Sequence, residues 1–255
     1  MNITFEKKYF KDTILKNDVI KIQKKIINLQ LKNKMSFIMK IGFLALLLTI
    51  VFSFIRIYQV EDISMHPALI DGDYVIVENV SAGVQIPSFF GYFDKHLYEH
   101  PQGISRGDIL VFKHPLDNRL YIKRCVALPG DSVMQKNKIF YLQIATDENL
   151  TRQYAKKHLF KTVQLDGEIW IQAPYSTYYT ITHFDNIIGP KFLFNYPKTK
   201  IPEKQYFMLG DLRDNSTDSR FFHAVPYDAI YYKLWLRIEA SRNIDKLSSI
   251  KFYSQ

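Results

Sequence analysis

Only one cysteine, Cys125, occurs in 255 residues, so no disulfide can close within the chain and the fold is held by packing. Acids are nearly missing from the first forty residues, where Glu6, Asp12 and Asp18 face ten lysines. That segment carries +7 of the net +9, which leaves +2 for the other 215 residues. A nucleic-acid-binding domain would spread a basic stripe over its folded part, and this asymmetry excludes that class of partner. Histidine-based chemistry lacks its context. The seven histidines permit a Ser-His-Asp triad by number, but no strand-to-helix nucleophile elbow accompanies them. His96 and His100 stand four apart in HLYEH, without the HExxH order or an evident third ligand, and read as surface residues. The acidic loop GDLRDNSTDSR lacks the alternating acids and closing glutamate of an EF-hand loop. No metal is expected.

What the chain does have is apolar content, at 47%, enough for a sizeable core. From Ile41 to Ile55 runs IGFLALLLTIVFSFI without a charge, and between Phe37 and Tyr58 only Lys40 and Arg56 interrupt. Both lie near the ends, where their stems can snorkel, so residues 37–58 predict one transmembrane helix. A cleaved signal peptide and a buried core helix are the competing readings; a flank of about forty residues and the want of a small-x-small site favour a retained anchor. The lysine excess places residues 1–36 in the cytoplasm and residues 59–255 outside the cytoplasmic (inner) membrane, as a single-pass protein. Within that flank Leu15, Val19, Ile22, Ile26 and Leu29 recur at helical spacing. They predict an amphipathic helix on the inner leaflet, against the alternatives of a coiled coil or a hairpin with the span.

After residue 58 the reading is mainly β. DYVIVENV, GDILVFKHP, LYIKRCVALPG, EIWIQAPYSTYYTITHF, QYFMLGD and IYYKLWLRIEA are rich in Val, Ile and aromatics and bounded by Gly-Asp or Pro. An extracytoplasmic β domain is expected, with a short helical piece at 148–159 and an inserted β subdomain at about 134–204.

Two features could carry chemistry. Alternation puts Tyr121, Lys123, Cys125 and Ala127 on one strand face, where Lys123 is the one charge. Desolvation there would lower its pKa and make the amine a general base; at a sheet edge the same lysine would simply be solvated. From Gly210 to Arg220 runs a dense polar set directly after an apolar strand. Packed on the core it would form a hydrogen-bonded platform able to orient a lysine; otherwise it is a solvated turn.

SMHPAL (64–69), RGDILVFKHP (106–115), YIKRCVALPGD (121–131) and GDLRDNSTDSR (210–220) stand in the order and rough spacing of the boxes of type I signal peptidases, and the chain resembles that family. The resemblance implies a membrane-bound serine endopeptidase with a mostly antiparallel β catalytic domain and a Ser-Lys dyad, a hydrolase that removes signal peptides from exported preproteins and uses no cofactor. It implies Ser64 as nucleophile, Lys123 as base and Ser216 as hydrogen-bond partner of the lysine amine. It further implies an Asp218–Arg220 ion pair, support from Asp211 and Arg124, and a backbone around the nucleophile shaped by Met65 and Pro67. Implied partners are signal-peptide-bearing preproteins and membrane lipid, with the translocation machinery a candidate for residues 134–204.

Departures from the family pattern fall at four places. Asp62 stands two residues before Ser64, where serine or glycine is usual, and an ionised carboxylate there would oppose an oxyanion. Leu212 replaces an asparagine, Phe222-His223-Ala224 replaces Trp-Gly-aromatic, and Tyr232 replaces a glycine. A specialised peptidase with few substrates and an inactive membrane-anchored binding protein are the competing functions.

Overall fold

In the computed structural model the described residues are 28–49, 54–85, 96–175, 194–240 and 250–252, with Lys21 and Lys25. The chain divides into two compact units, residues 1–53 and 54–255. In the first, residues 28–49 form a helix, α1, whose side chains are exposed throughout. Most of the predicted amphipathic stripe from Leu15 to Ile26 lies outside the described residues.

The second unit opens with strands β1 (Ile55–Gln59), β2 (Tyr74–Glu78), β3 (Gly83–Gln85), β4 (His96–Glu99), β5 (Ile109–Lys113) and β6 (Leu120–Ala127). There follow β7 (Ser132–Lys136), β8 (Ile139–Gln143), helix α2 (Glu148–His158), β9 (Thr162–Leu165), β10 (Glu168–Gln172) and β11 (Tyr196–Lys200). The chain closes with β12 (Gln205–Leu209), the short helix α3 (Ser219–Phe222), β13 (Val225–Pro226), β14 (Ile230–Ile238) and β15 (Ile250–Phe252).

Among the described residues one sheet of eight strands runs β1-β2-β14-β5-β6-β12-β13, with β15 also paired to β14. A second sheet runs β11-β7-β8-β10-β9, and β3 and β4 form a hairpin. Every pairing in the two large sheets is antiparallel. β5 is buried along Ile109–Phe112, as a central strand covered on both faces must be. Val75, Val77, Ile109, Val111 and Leu234 join Val60, Met65 and Leu69 in one apolar cluster, on which the residues around Ser64 rest.

The predicted span to Tyr58 is corrected here. Ile55 to Tyr58 belong to β1, in register with Glu78 to Val75 of β2, and the Tyr58 ring packs 6.0 Å from that of Tyr232. The apolar run therefore serves two elements, and counting hydrophobicity alone could not divide it. Among the described residues no helix is long and apolar enough to cross a membrane; residues 50–53 of the run lie outside them. The predicted strand at 168–184 also ends early, at Gln172. Ala173 takes a φ of 47° and Pro174 has no N–H to continue a ladder, while residues 176–184 are outside the described set.

Candidate active site

β1 delivers the chain to a turn held from both sides. Val60 N–H bonds Asp73 O at 2.8 Å and Gly72 N–H bonds Val60 O at 2.9 Å, closing the loop that carries Ser64. Inside it His66 N–H bonds Ile63 O and Leu69 N–H bonds Met65 O, both at 2.9 Å. Met65 and Leu69 are fully buried and anchor the turn in the core, with Pro67 half-buried beside them. Asp73 then fastens the loop to β14, accepting from Arg237 Nε at 2.7 Å and from Ala240 N–H at 3.0 Å. Sequence reading passed over this Asp73–Arg237 pair, although the DGD turn that carries it was visible.

β6, flanked by β5 and β12, is an inner strand, and the face that carries Lys123 is covered. Lys123 is 4% exposed and Ser64 3% exposed, and Lys123 Nζ lies 2.7 Å from Ser64 Oγ. The amine also donates to Ile122 O at 3.1 Å and stands 5.4 Å above the Tyr121 ring. Burial pushes its pKa below the ordinary value of 10.5, and the fields of Asp218, Asp62 and Asp211 oppose that shift in part. Both side chains open onto a cleft of about 380 Å³ whose walls include Val60, Asp62, Tyr121 and Ile122.

The polar loop after β12 is packed on the core, not solvated. Arg220 clasps Asp218 through Nε at 2.8 Å and a terminal nitrogen at 2.9 Å, and both side chains are buried. Asp218 also caps α3 and accepts the Gly210 N–H at 3.1 Å. Arg124 clasps Asp211 at 2.7 and 2.6 Å and donates to Gly107 O at 2.7 Å. Burial pushes the Arg213 pKa down to about 10, and its Nε donates to Gly210 O at 2.9 Å. The loop reaches the serine through its backbone: Leu212 N–H bonds Ser64 O at 3.0 Å. That contact is independent of side-chain type, so no sequence signal could have announced it.

Residues 33–238 match the family described as Signal peptidase, peptidase S26. Signal peptidase I of Buchnera aphidicola subsp. Schizaphis graminum is 32% identical, over 95% of this chain and 86% of that protein. The chain belongs to the S26 signal peptidase family. Signal peptidase I of Buchnera aphidicola subsp. Acyrthosiphon pisum is 30% identical, over 73% of this chain and 69% of that protein. Signal peptidase I of Helicobacter pylori strain 26695 is 28% identical over 76% and 78% respectively. The chain is thus a serine peptidase, a hydrolase.

In this S26 peptidase the predicted bond from Ser216 to the lysine amine is not made. Ser216 Oγ is buried and has no hydrogen-bond partner among the described residues. It lies instead against Gly210, 2.1 Å from where a Cβ on that glycine would stand. The same Cβ would come within 2.7 Å of Ser64 O, a backbone atom that cannot rotate away. Gly210→Ala is therefore expected to cost about 1–3 kcal/mol of stability and to displace Ser64 from Lys123. Thermal unfolding together with preprotein cleavage checks both effects.

Asp62 takes a φ of 113°, a left-handed conformation that favours glycine, and its Oδ1 accepts the Ile63 N–H at 2.6 Å. The segment Gly103-Ile104-Ser105-Arg106-Gly107 fits GxSxG in letters. Its setting differs: a 3-10 turn (Pro101–Gly103) precedes it and a strand follows, and Ser105 N–H and Arg106 are committed to Asp108 and Asp131. His223, where the family pattern has glycine, has φ 65° and ψ −167°, and its ring nitrogen stands 3.4 Å from Tyr196 Oη.

Proposed function

We propose that this peptidase removes N-terminal signal peptides from exported preproteins by a Ser-Lys dyad, as a membrane-anchored enzyme. The observation that carries the reading is the 2.7 Å contact between two nearly inaccessible side chains fifty-nine residues apart, at the base of a cleft. A serine hydroxyl is a weak nucleophile until a base takes its proton. Lys123 is suited to that role because burial favours its neutral form, whose lone pair can accept the Ser64 proton. Attack on the scissile carbonyl then gives a tetrahedral adduct, with the Ser64 backbone N–H as a donor to its oxyanion. The lysine returns the proton to the leaving amine, and the acyl-enzyme is hydrolysed by water activated in the same way. Asp218–Arg220 and Asp211–Arg124 hold the surrounding loop, and that loop holds Ser64 through Leu212.

Membrane attachment rests on sequence. From Phe37 to Phe54 eighteen residues carry one charge, Lys40, enough for about 27 Å of helix. Ser64 follows ten residues later, which suits a substrate held in the same bilayer. The lysine-rich flank supports a cytoplasmic N-terminus.

The test is cleavage of a preprotein by the full chain in detergent. One cut after a small-x-small site is expected, and none by Ser64→Ala; undiminished cutting by that variant sinks the assignment. A peptidase with a narrow substrate set is the second reading, favoured by Asp62 and His223. Rescue of a host depleted of its own signal peptidase separates the two, because a narrow enzyme would fail there while still cutting its own substrate.

A further inference from the structure

Three carboxylates bear on the buried Lys123 amine, those of Asp218, Asp62 and Asp211. Two of them are neutralised where they stand. Asp218 is clasped by Arg220 at 2.8 and 2.9 Å, and Asp211 by Arg124 at 2.7 and 2.6 Å. A carboxylate locked to a guanidinium acts on a third group as a dipole, whose field fades faster with distance than that of a lone charge. Asp62 is different. Among the described residues no cation pairs with it, and its carboxylate accepts the Ile63 N–H at 2.6 Å while lining the cleft that holds Ser64 and Lys123. The backbone fixes it there, through a φ of 113° and an Asp62 N–H bond to Asp71 Oδ1 at 3.0 Å.

We propose that Asp62 is a positioning residue for the proton transfer: its unneutralised carboxylate, set in the same cleft, opposes release of a proton from the Lys123 amine and so raises the pH at which the peptidase turns on. The inference rests on the reading of Lys123 as the base. An ammonium has no lone pair, so the amine must release one proton to water before it can take the proton of Ser64 Oγ, and a nearby anion opposes that release. The remaining charged neighbours do not replace Asp62. Glu61 and Arg119 also line the cleft, but neither is among the groups whose charge bears on the amine, and Arg119 is paired with Asp117 at 2.8 Å. Asp71 faces the Asp62 backbone, and Tyr121 presents its ring to the amine at 5.4 Å.

The role differs from that of a strut, because it acts on the pH profile of the reaction. The experiment measures kcat/KM for a preprotein against pH with the full-length chain in detergent, for wild type, Asp62→Asn, Asp62→Gly, Asp62→Glu and Lys123→Ala. In both neutral variants the acid limb is expected to move to lower pH. Where wild type runs at about a tenth of its alkaline rate, each should run several-fold higher as a fraction of its own alkaline rate. Asp62→Glu keeps the charge and should hold the limb near the wild-type position. Added salt should move the wild-type limb the same way and the Asp62→Asn limb much less, since the screened charge is then already gone. A limb that stays put or moves up in both neutral variants, or a loss that is uniform across pH, overturns the proposal. Cleavage by Lys123→Ala with the wild-type limb would instead overturn the dyad reading, a separate outcome of the same series.

Discussion

Lys123→Met is expected to lower preprotein cleavage by on the order of 10⁴-fold or more while making the folded protein more stable. The activity loss follows from geometry: Ser64 Oγ has Lys123 Nζ at 2.7 Å, and methionine has no group to take its proton. The gain in stability follows from burial. An amine 4% exposed has lost its water, and a thioether of similar length needs none. Replacing buried ionic groups with apolar ones of like volume often stabilises by roughly 1–4 kcal/mol, and the lower part of that range is expected here. The pH dependence fixes the sign. Lys123 has a folded pKa below its ordinary 10.5, so at low pH the folded state bears the full cost of a buried ammonium. Between that lowered value and 10.5 the unfolded chain holds a proton that the folded chain has shed, so this group's contribution to stability rises with pH. Urea unfolding at a series of pH values should show that slope in wild type and lack it in Lys123→Met. Lys123→Arg serves as the opposite control, since a guanidinium stays protonated; it should be inactive and less stable. Retained activity in either variant would remove Lys123 from the chemistry.

Period-2 alternation was enough to put Lys123 beside Cys125 and Ala127 on one face, because β6 is a regular inner strand whose pattern follows its pleat. The density of opposite charges from Gly210 to Arg220 likewise pointed to internal pairing, and Asp218 with Arg220 is such a pair. Three things were hidden. The boundary between the apolar run and β1 depends on the partner strand β2, which begins fifteen residues beyond the end of β1 and whose pairing no local window reports. The hold of Leu212 on Ser64 is a backbone bond and leaves no mark on side-chain identity. The placement of Ser216 against Gly210 depends on a separation that only coordinates supply. Asp62 shows the reverse case. Sequence flagged it as out of place beside a nucleophile, and the structure supplies what the letter could not: a φ of 113°, a bond to Ile63 N–H and no cation among the described residues.

Asp218→Ala is expected to be the most destabilising single change in the polar loop, at about 3–5 kcal/mol, because it strands a buried charge. Asp218 is 0% exposed and accepts from Arg220 Nε, an Arg220 terminal nitrogen, the Arg220 backbone N–H and the Gly210 N–H. Removing its carboxylate leaves Arg220 with the Arg213 carbonyl at 2.6 Å as a remaining acceptor, and its guanidinium cannot shed its proton to escape the cost. Exposed pairs such as Lys198–Glu168 on the second sheet are solvated on both sides, and their loss should barely register. Against a total stability of about 5–15 kcal/mol for a domain, the Asp218 change alone could bring the catalytic unit near its unfolding midpoint. Activity should fall further than the folded fraction does, since Gly210 and Leu212 lose their anchor and Leu212 N–H holds Ser64 O. A double-mutant cycle with Arg220→Met tests the mechanism. If the cost arises from a stranded guanidinium, Asp218→Ala with Arg220→Met should be more stable than Asp218→Ala alone, by about 1–3 kcal/mol in urea unfolding. If the double variant is instead the less stable of the two, Asp218 acts mainly as the cap of α3 and the acceptor for Gly210, and the ion pair is incidental to the loop.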